Sequence, residues 1–126
     1  MRWFNSKWFW HVFDVNFSCV KGRASRSEFW SFYSVCVFTS IILTFIDKVL
    51  IGSALPYITF LFFISIMIPT VCLQVRRLHD LDKPGWFVLF LFVPIIGTLF
   101  LIAIGVIKGD QKKNRFGEMP PSIPKA

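Results

Sequence analysis

The chain has 126 residues, enough for one domain; 55% of it is hydrophobic, 18% aromatic and only 17% charged. A soluble domain of that size could not hide so much apolar surface. The net charge of +7 invites a nucleic-acid reading, but Lys and Arg flank apolar runs here and do not line one polar face, so no nucleic-acid partner is expected.

Residues 3–18 place Lys7, His11, Asp14 and Ser18 on one narrow polar stripe of a helical wheel. Trp3, Phe4, Trp8, Phe9, Trp10, Phe13 and Phe17 cover most of the rest, which predicts an interfacial amphipathic helix. Asp14, Asn16 and Ser18 interrupt any signal-peptide core. Gly22 then permits a turn, and Ser25 with Glu28 has capping-box spacing ahead of an apolar run. The first transmembrane helix is expected over residues 26–47, with Phe29, Trp30, Phe32 and Tyr33 as its aromatic belt and Asp47 and Lys48 at its far end.

Gly52-Ser53 reads as a short turn, and Pro56 suits the first turn of a second span over 55–75. Pro69 predicts a kink near Ser65. No charged residue lies between Ala54 and Val75, or between Trp86 and Ile107, and each run approaches the ~20 residues a membrane-spanning helix needs. Between them, residues 76–86 form a charged break at a membrane surface, closing in a Lys83-Pro84-Gly85-Trp86 sequence that suits a type II turn. A third span is expected over 86–107, with a kink or unwound turn at Pro94 and Gly97. The tail, 108–126, is polar; Asn114-Arg115-Phe116-Gly117 reads as a turn, and Pro120, Pro121 and Pro124 make its end extended. Cys19, Cys36 and Cys72 share no metal-type spacing. The fold class is therefore an all-α integral membrane protein, one domain over 1–126: an N-terminal interfacial helix, three transmembrane helices and a polar C-terminal tail.

Three crossings put the start of the first span and the end of the second on one face, called face A, and the tail on the opposite face B. Arg76 and Asp80 are i, i+4 and Arg77 and Asp80 are i, i+3, so they meet on one helical turn. Unpaired charges are costly near lipid, which predicts contact of Arg23 or Arg26 with Asp80, and of Glu28 with Arg76 or Arg77. Arg23, Arg26, Glu28, Arg76, Arg77, His79 and Asp80 are thus a candidate cluster for an anionic headgroup, or a purely structural one. No catalytic residue, metal ligand or cofactor is expected. His79 and Asp80 form the single acid–base pair within a motif, which leaves a membrane-surface enzyme as a lesser reading, and Arg76 and Arg77 would repel a cation.

The order Gly22-Arg23-Ala24-Ser25-Arg26-Ser27-Glu28-Phe29-Trp30, Arg76-Arg77-Leu78-His79-Asp80, Gly85-Trp86, Pro94-Ile95-Ile96-Gly97 and Asn114-Arg115-Phe116-Gly117 resembles the YhaH/YhaI-like bacterial inner-membrane proteins, the domain of unknown function eight hundred and five. The resemblance runs from about residue 17 to 120. It implies a small polytopic protein of the bacterial inner membrane and no established activity. The expected partners are the lipid bilayer, an anionic phospholipid, and a second copy or another membrane protein. An oligomeric transporter or channel subunit is the alternative. The positive-inside rule places face A and the N-terminus in the cytoplasm.

Overall fold

The computed structural model describes residues 22–52 and 54–120. The helix expected over 3–18, Ser53 of the first turn, and the chain beyond 120 lie outside the described residues. Within them the chain folds as α1 (Arg26–Val49), α2 (Tyr57–Asp80), a 3-10 segment (Gly85–Phe92) and α3 (Pro94–Val106).

Ser25 caps α1, its hydroxyl accepting from the Glu28 amide at 3.1 Å, which is one half of the predicted capping box. The Glu28 carboxylate reaches across to Arg76 on α2. The two long helices have 24 residues each, about 36 Å at ~1.5 Å per residue, so each is long and apolar enough to cross a bilayer core of ~30 Å. Their shared seam buries Phe29, Phe32, Leu73 and Leu78, joined by Ile104 of α3. Phe38, Ile41 and Phe45 of α1 and Phe60, Leu61 and Ile64 of α2 face outward, as expected where the surroundings are themselves apolar.

At the face-B end, Asp47 does more than end a span. Its Oδ1 accepts from the Ile58 amide at 3.0 Å, and its Oδ2 from the Thr59 amide at 3.0 Å and the Thr59 hydroxyl at 2.9 Å. The last residues of α1 thereby cap the start of α2, whose own N-cap is Pro56 and supplies no side-chain acceptor. Pro56 was expected inside the first turn and stands just outside it. Pro69 does not interrupt α2.

The structure corrects three further expectations. First, the second helix does not end at residue 75: α2 runs on through the helical turn expected of Arg76, Arg77 and Asp80. It stops in a Schellman arrangement, with Asp82 N–H to His79 O at 3.1 Å and Lys83 N–H to Leu78 O at 2.9 Å, and Asp82 in the left-handed region at φ 55°. Second, Gly85 does not form the type II turn, because a positive φ is found among the described glycines only at Gly22, Gly52 and Gly117. Gly85 is needed for space: a Cβ there would lie 2.9 Å from Val75 Cγ1.

Third, residues 86–107 are not one helix. Val93 is extended (φ −89°, ψ 115°) ahead of Pro94, as proline imposes on its predecessor, and the chain doubles back. The two arms touch: a Cβ on Gly97 would collide with the Leu91 carbonyl, and the Phe90 and Phe100 rings lie 5.7 Å apart. Gly85 starts the hairpin beside Val75 and His79; Ile104 near its end accepts from Arg77. Both ends of the segment therefore lie at face A. The tail follows them there and not to face B, with Asp110 N–H bonded to Asp80 O at 2.9 Å.

Candidate functional site

Four pieces of chain converge at face A: the approach to α1, the end of α2, the end of α3 and the tail. Arg23 is buried among them. Its Nε and Nη2 lie 2.9 and 2.8 Å from Asp80 Oδ1. Its Nη1 donates to Lys112 O at 2.7 Å and Gly117 O at 3.4 Å, and Nη2 also reaches Asp110 O. Beside it, the Ala24 amide donates to Arg76 O at 3.1 Å. Arg77 is fully enclosed, with Nη1 on Asp80 Oδ2 and, at 3.1 Å, on Ala24 O. Arg76 pairs with Glu28, and its Nη1 is buried with no hydrogen-bond partner.

The two arginine motifs meet at one physical task. A helix leaves its last carbonyls without partners and carries the negative end of its dipole there. In α3 those carbonyls are taken from outside. Ile104 O accepts from Arg77 Nε at 2.8 Å and Gly105 O from Trp30 Nε1 at 2.9 Å. Val106 O accepts from Arg26 Nη1 at 3.4 Å, and Ile107 O from Arg77 Nη2. Arg26, Trp30 and Arg77, far apart in sequence, together form the cap of a helix to which none of them belongs. The planar guanidinium, with several donors in fixed directions, suits this better than an ammonium would.

The tail is clamped over the end of α2. Asn114 and Gly117 exchange backbone hydrogen bonds of 3.1 Å, with Gly117 at φ 130°. Asn114 Nδ2 donates to His79 O at 2.9 Å, and the His79 ring stacks on Phe116 at 4.0 Å, tilted by 3°. His79 Nδ1 also lies 3.2 Å from Gly22 O. Arg115 pairs with Asp82 at 3.1 Å and lies over the Phe116 ring at 4.8 Å.

Of the contacts expected between motifs, Arg23 with Asp80 and Glu28 with Arg76 are formed. Gly22, Ser25, Trp30, Gly85, Asn114, Arg115 and Gly117 surround the same end. Pro94 and Gly97 are at the opposite end of the hairpin, and Trp86 is exposed. Two glycines escaped the sequence reading as site residues. A Cβ on Gly109 would overlap the Asp80 carboxylate, and one on Gly105 would lie 2.7 Å from Trp30 Cζ2. Their signal was position: Gly105 sits in the last turn of the apolar run, and Gly109 immediately follows the first lysine after it.

Residues 17–118 match the family model described as protein of unknown function (DUF805). The chain belongs to this family. It is 35% identical over 114 residues to the inner membrane protein YhaI of Escherichia coli (strain K12), covering 90% of this chain and 95% of that one. It is 33% identical over 112 residues to the inner membrane protein YhaH of the same organism, covering 86% and 93%. No solved structure matches the chain. These relatives and the two long apolar helices support an inner-membrane location for this family member.

Proposed function

We propose that this protein is a non-enzymatic interaction module of the bacterial inner membrane, whose basic face meets anionic lipid headgroups. One observation carries this reading. Lys48 stands at the face-B end, whereas the other described cations, Arg23, Arg26, Arg76, Arg77, Lys83, Lys108, Lys112, Lys113 and Arg115, gather at face A. The positive-inside rule favours face A in the cytoplasm, and the anionic cytoplasmic leaflet attracts surface cations at ~1 kcal/mol each.

The geometry divides the labour among these cations. Arg23 and Arg77 are engaged by carboxylates and carbonyls of the chain itself, so they build the face. Lys83, Lys108 and Lys112 are exposed and available to headgroups, and Lys113 is exposed too, in a solvent-exposed pair with Glu118 at 3.2 Å. Asp80 spends both oxygens on Arg23 and Arg77, and the Ser25 hydroxyl accepts from Glu28, which favours a binding role over a catalytic one.

Native mass spectrometry of gently extracted protein tests the reading. Anionic phospholipid retained by the wild type and lost from Lys108→Gln/Lys112→Gln/Lys113→Gln is expected. Equal retention in both would remove the lipid role and leave a protein partner. Changing Arg23 would not serve, because its loss would disturb the fold. A transporter subunit is the second reading, favoured by the break at Val93–Pro94, since transporters place broken helices at membrane depth. Flux in reconstituted vesicles is its test.

A further inference from the structure

We propose that residues 85–106 are a re-entrant hairpin that enters and leaves the bilayer at face A, so that residues 22–120 cross the membrane twice and not three times. The inference rests on the membrane reading above and adds the path of the chain.

Length argues first. The 3-10 arm of 8 residues spans about 16 Å at ~2.0 Å per residue, and α3, with 13, about 20 Å at ~1.5 Å per residue. Neither arm covers a ~30 Å hydrocarbon core, whereas α1 and α2 both do. An uncharged run of about 22 residues is long enough for one crossing or for two half-crossings, and hydropathy does not separate them.

Contacts argue second. The start of the hairpin packs on Val75 and His79 at the end of α2. Its end is bonded to Trp30 and Arg77, and the next residues continue onto Asp80 and Arg23. A single crossing would separate these two ends by the thickness of the bilayer. The devices that reverse the chain lie together midway: extended Val93, Pro94 without an N–H, and Gly97 against the Leu91 carbonyl.

Backbone chemistry argues third. Irregular backbone at membrane depth survives where its polar groups find protein partners. At the reversal, the Val93 amide bonds Phe90 O at 3.2 Å and the Gly97 amide bonds Val93 O. At the returning end, the α3 carbonyls are capped by arginine and tryptophan as described. Without the hairpin, buried Arg77 would keep Asp80 and Ala24 O but lose the Ile104 and Ile107 carbonyls that take its Nε and Nη2. The hairpin end and Arg77 thus satisfy each other's polar groups.

Cysteine accessibility in the full chain, with Cys19, Cys36 and Cys72 replaced by Ala, tests the path. Lys83→Cys, Lys112→Cys, Leu50→Cys and Ile95→Cys are each exposed to a membrane-impermeant maleimide in spheroplasts and in inverted vesicles. Lys83→Cys and Lys112→Cys should label from the same side, Leu50→Cys from the other, and Ile95→Cys at least tenfold more slowly from either. If Lys112→Cys or Ile95→Cys labels from the Leu50→Cys side while the protein resists extraction by alkaline carbonate, the hairpin is overturned and the membrane reading stands. Release by carbonate would overturn both.

Discussion

The two ends of the α1–α2 pair solve the same problem at different range. At the face-B end one carboxylate, Asp47, caps a helix that starts ten residues later. At face A, arginines cap a helix whose end lies 27 to 80 residues away, and bind a tail up to 94 residues away. A local cap forms whenever α1 and α2 pair. The face-A cap forms only when the hairpin has returned and the tail has docked. One end holds a turn, and the other holds the fold.

Arg77→Met breaks that contrast most severely. It removes the donors to Ile104, Ile107 and Ala24 and leaves Asp80 short of a partner in a buried site. Losing one side of a buried pair costs about 3–5 kcal/mol. Thermal melting in detergent should show the largest drop of any single change, and limited proteolysis should cut after Ile107 in the variant first. Arg77→Lys should rescue little, because one ammonium does not replace a guanidinium fork. Gly109→Ala should follow at about 1–3 kcal/mol, since the new methyl group overlaps the Asp80 carboxylate and must push the tail away.

Asp47→Ala sharpens the comparison from the other side. It strips acceptors from Ile58, Thr59 and the Thr59 hydroxyl, a loss of about 2 kcal/mol on helix-cap precedent. Its melt should fall less than that of Arg77→Met, and the tail should stay protected from protease. A larger drop for Asp47→Ala would reverse the ranking of the two ends. Asp82→Gly should have the smallest effect, within about 0.5 kcal/mol. It relieves a left-handed aspartate and gives up a half-exposed ion pair with Arg115, and these nearly cancel.

The sequence was most informative where the cue is local or where charge must be paired. The Ser25 cap, the length of α1 and the pairing of Glu28 with Arg76 follow from spacing and from the cost of lone charges near lipid. The path of residues 86–107 does not. Pro94 and Gly97 were visible as an interruption, but a kink and a reversal use the same residues. What separates them is the docking of Gly105 on Trp30 and of the Ile104 carbonyl on Arg77, contacts across more than twenty residues. The same reading places Lys108 and Arg115 on face B with the tail, which lowers the charge bias between the faces. Read with the observed path, that bias becomes strong. The expected span of 55–75 ends before its helix does, because Arg76, Arg77 and Asp80 continue α2 with their charges paired.

The hairpin also gives the protein two hydrophobic heights. In a bilayer, the uncharged stretches of α1 and α2, residues 29–46 and 57–75, present walls of about 28 Å, and α3 stands beside them at about 20 Å, with exposed Phe92 and Ile95 at its crest. On the re-entrant path, lipids on that flank meet a step of roughly 8 Å, and mismatch costs a fraction of a kcal/mol per Å. Acyl chains there must tilt, splay or shorten. On the re-entrant path proposed above, the protein would act as a wedge beside that flank, and the lipids that fit there best would be those that tolerate thinning.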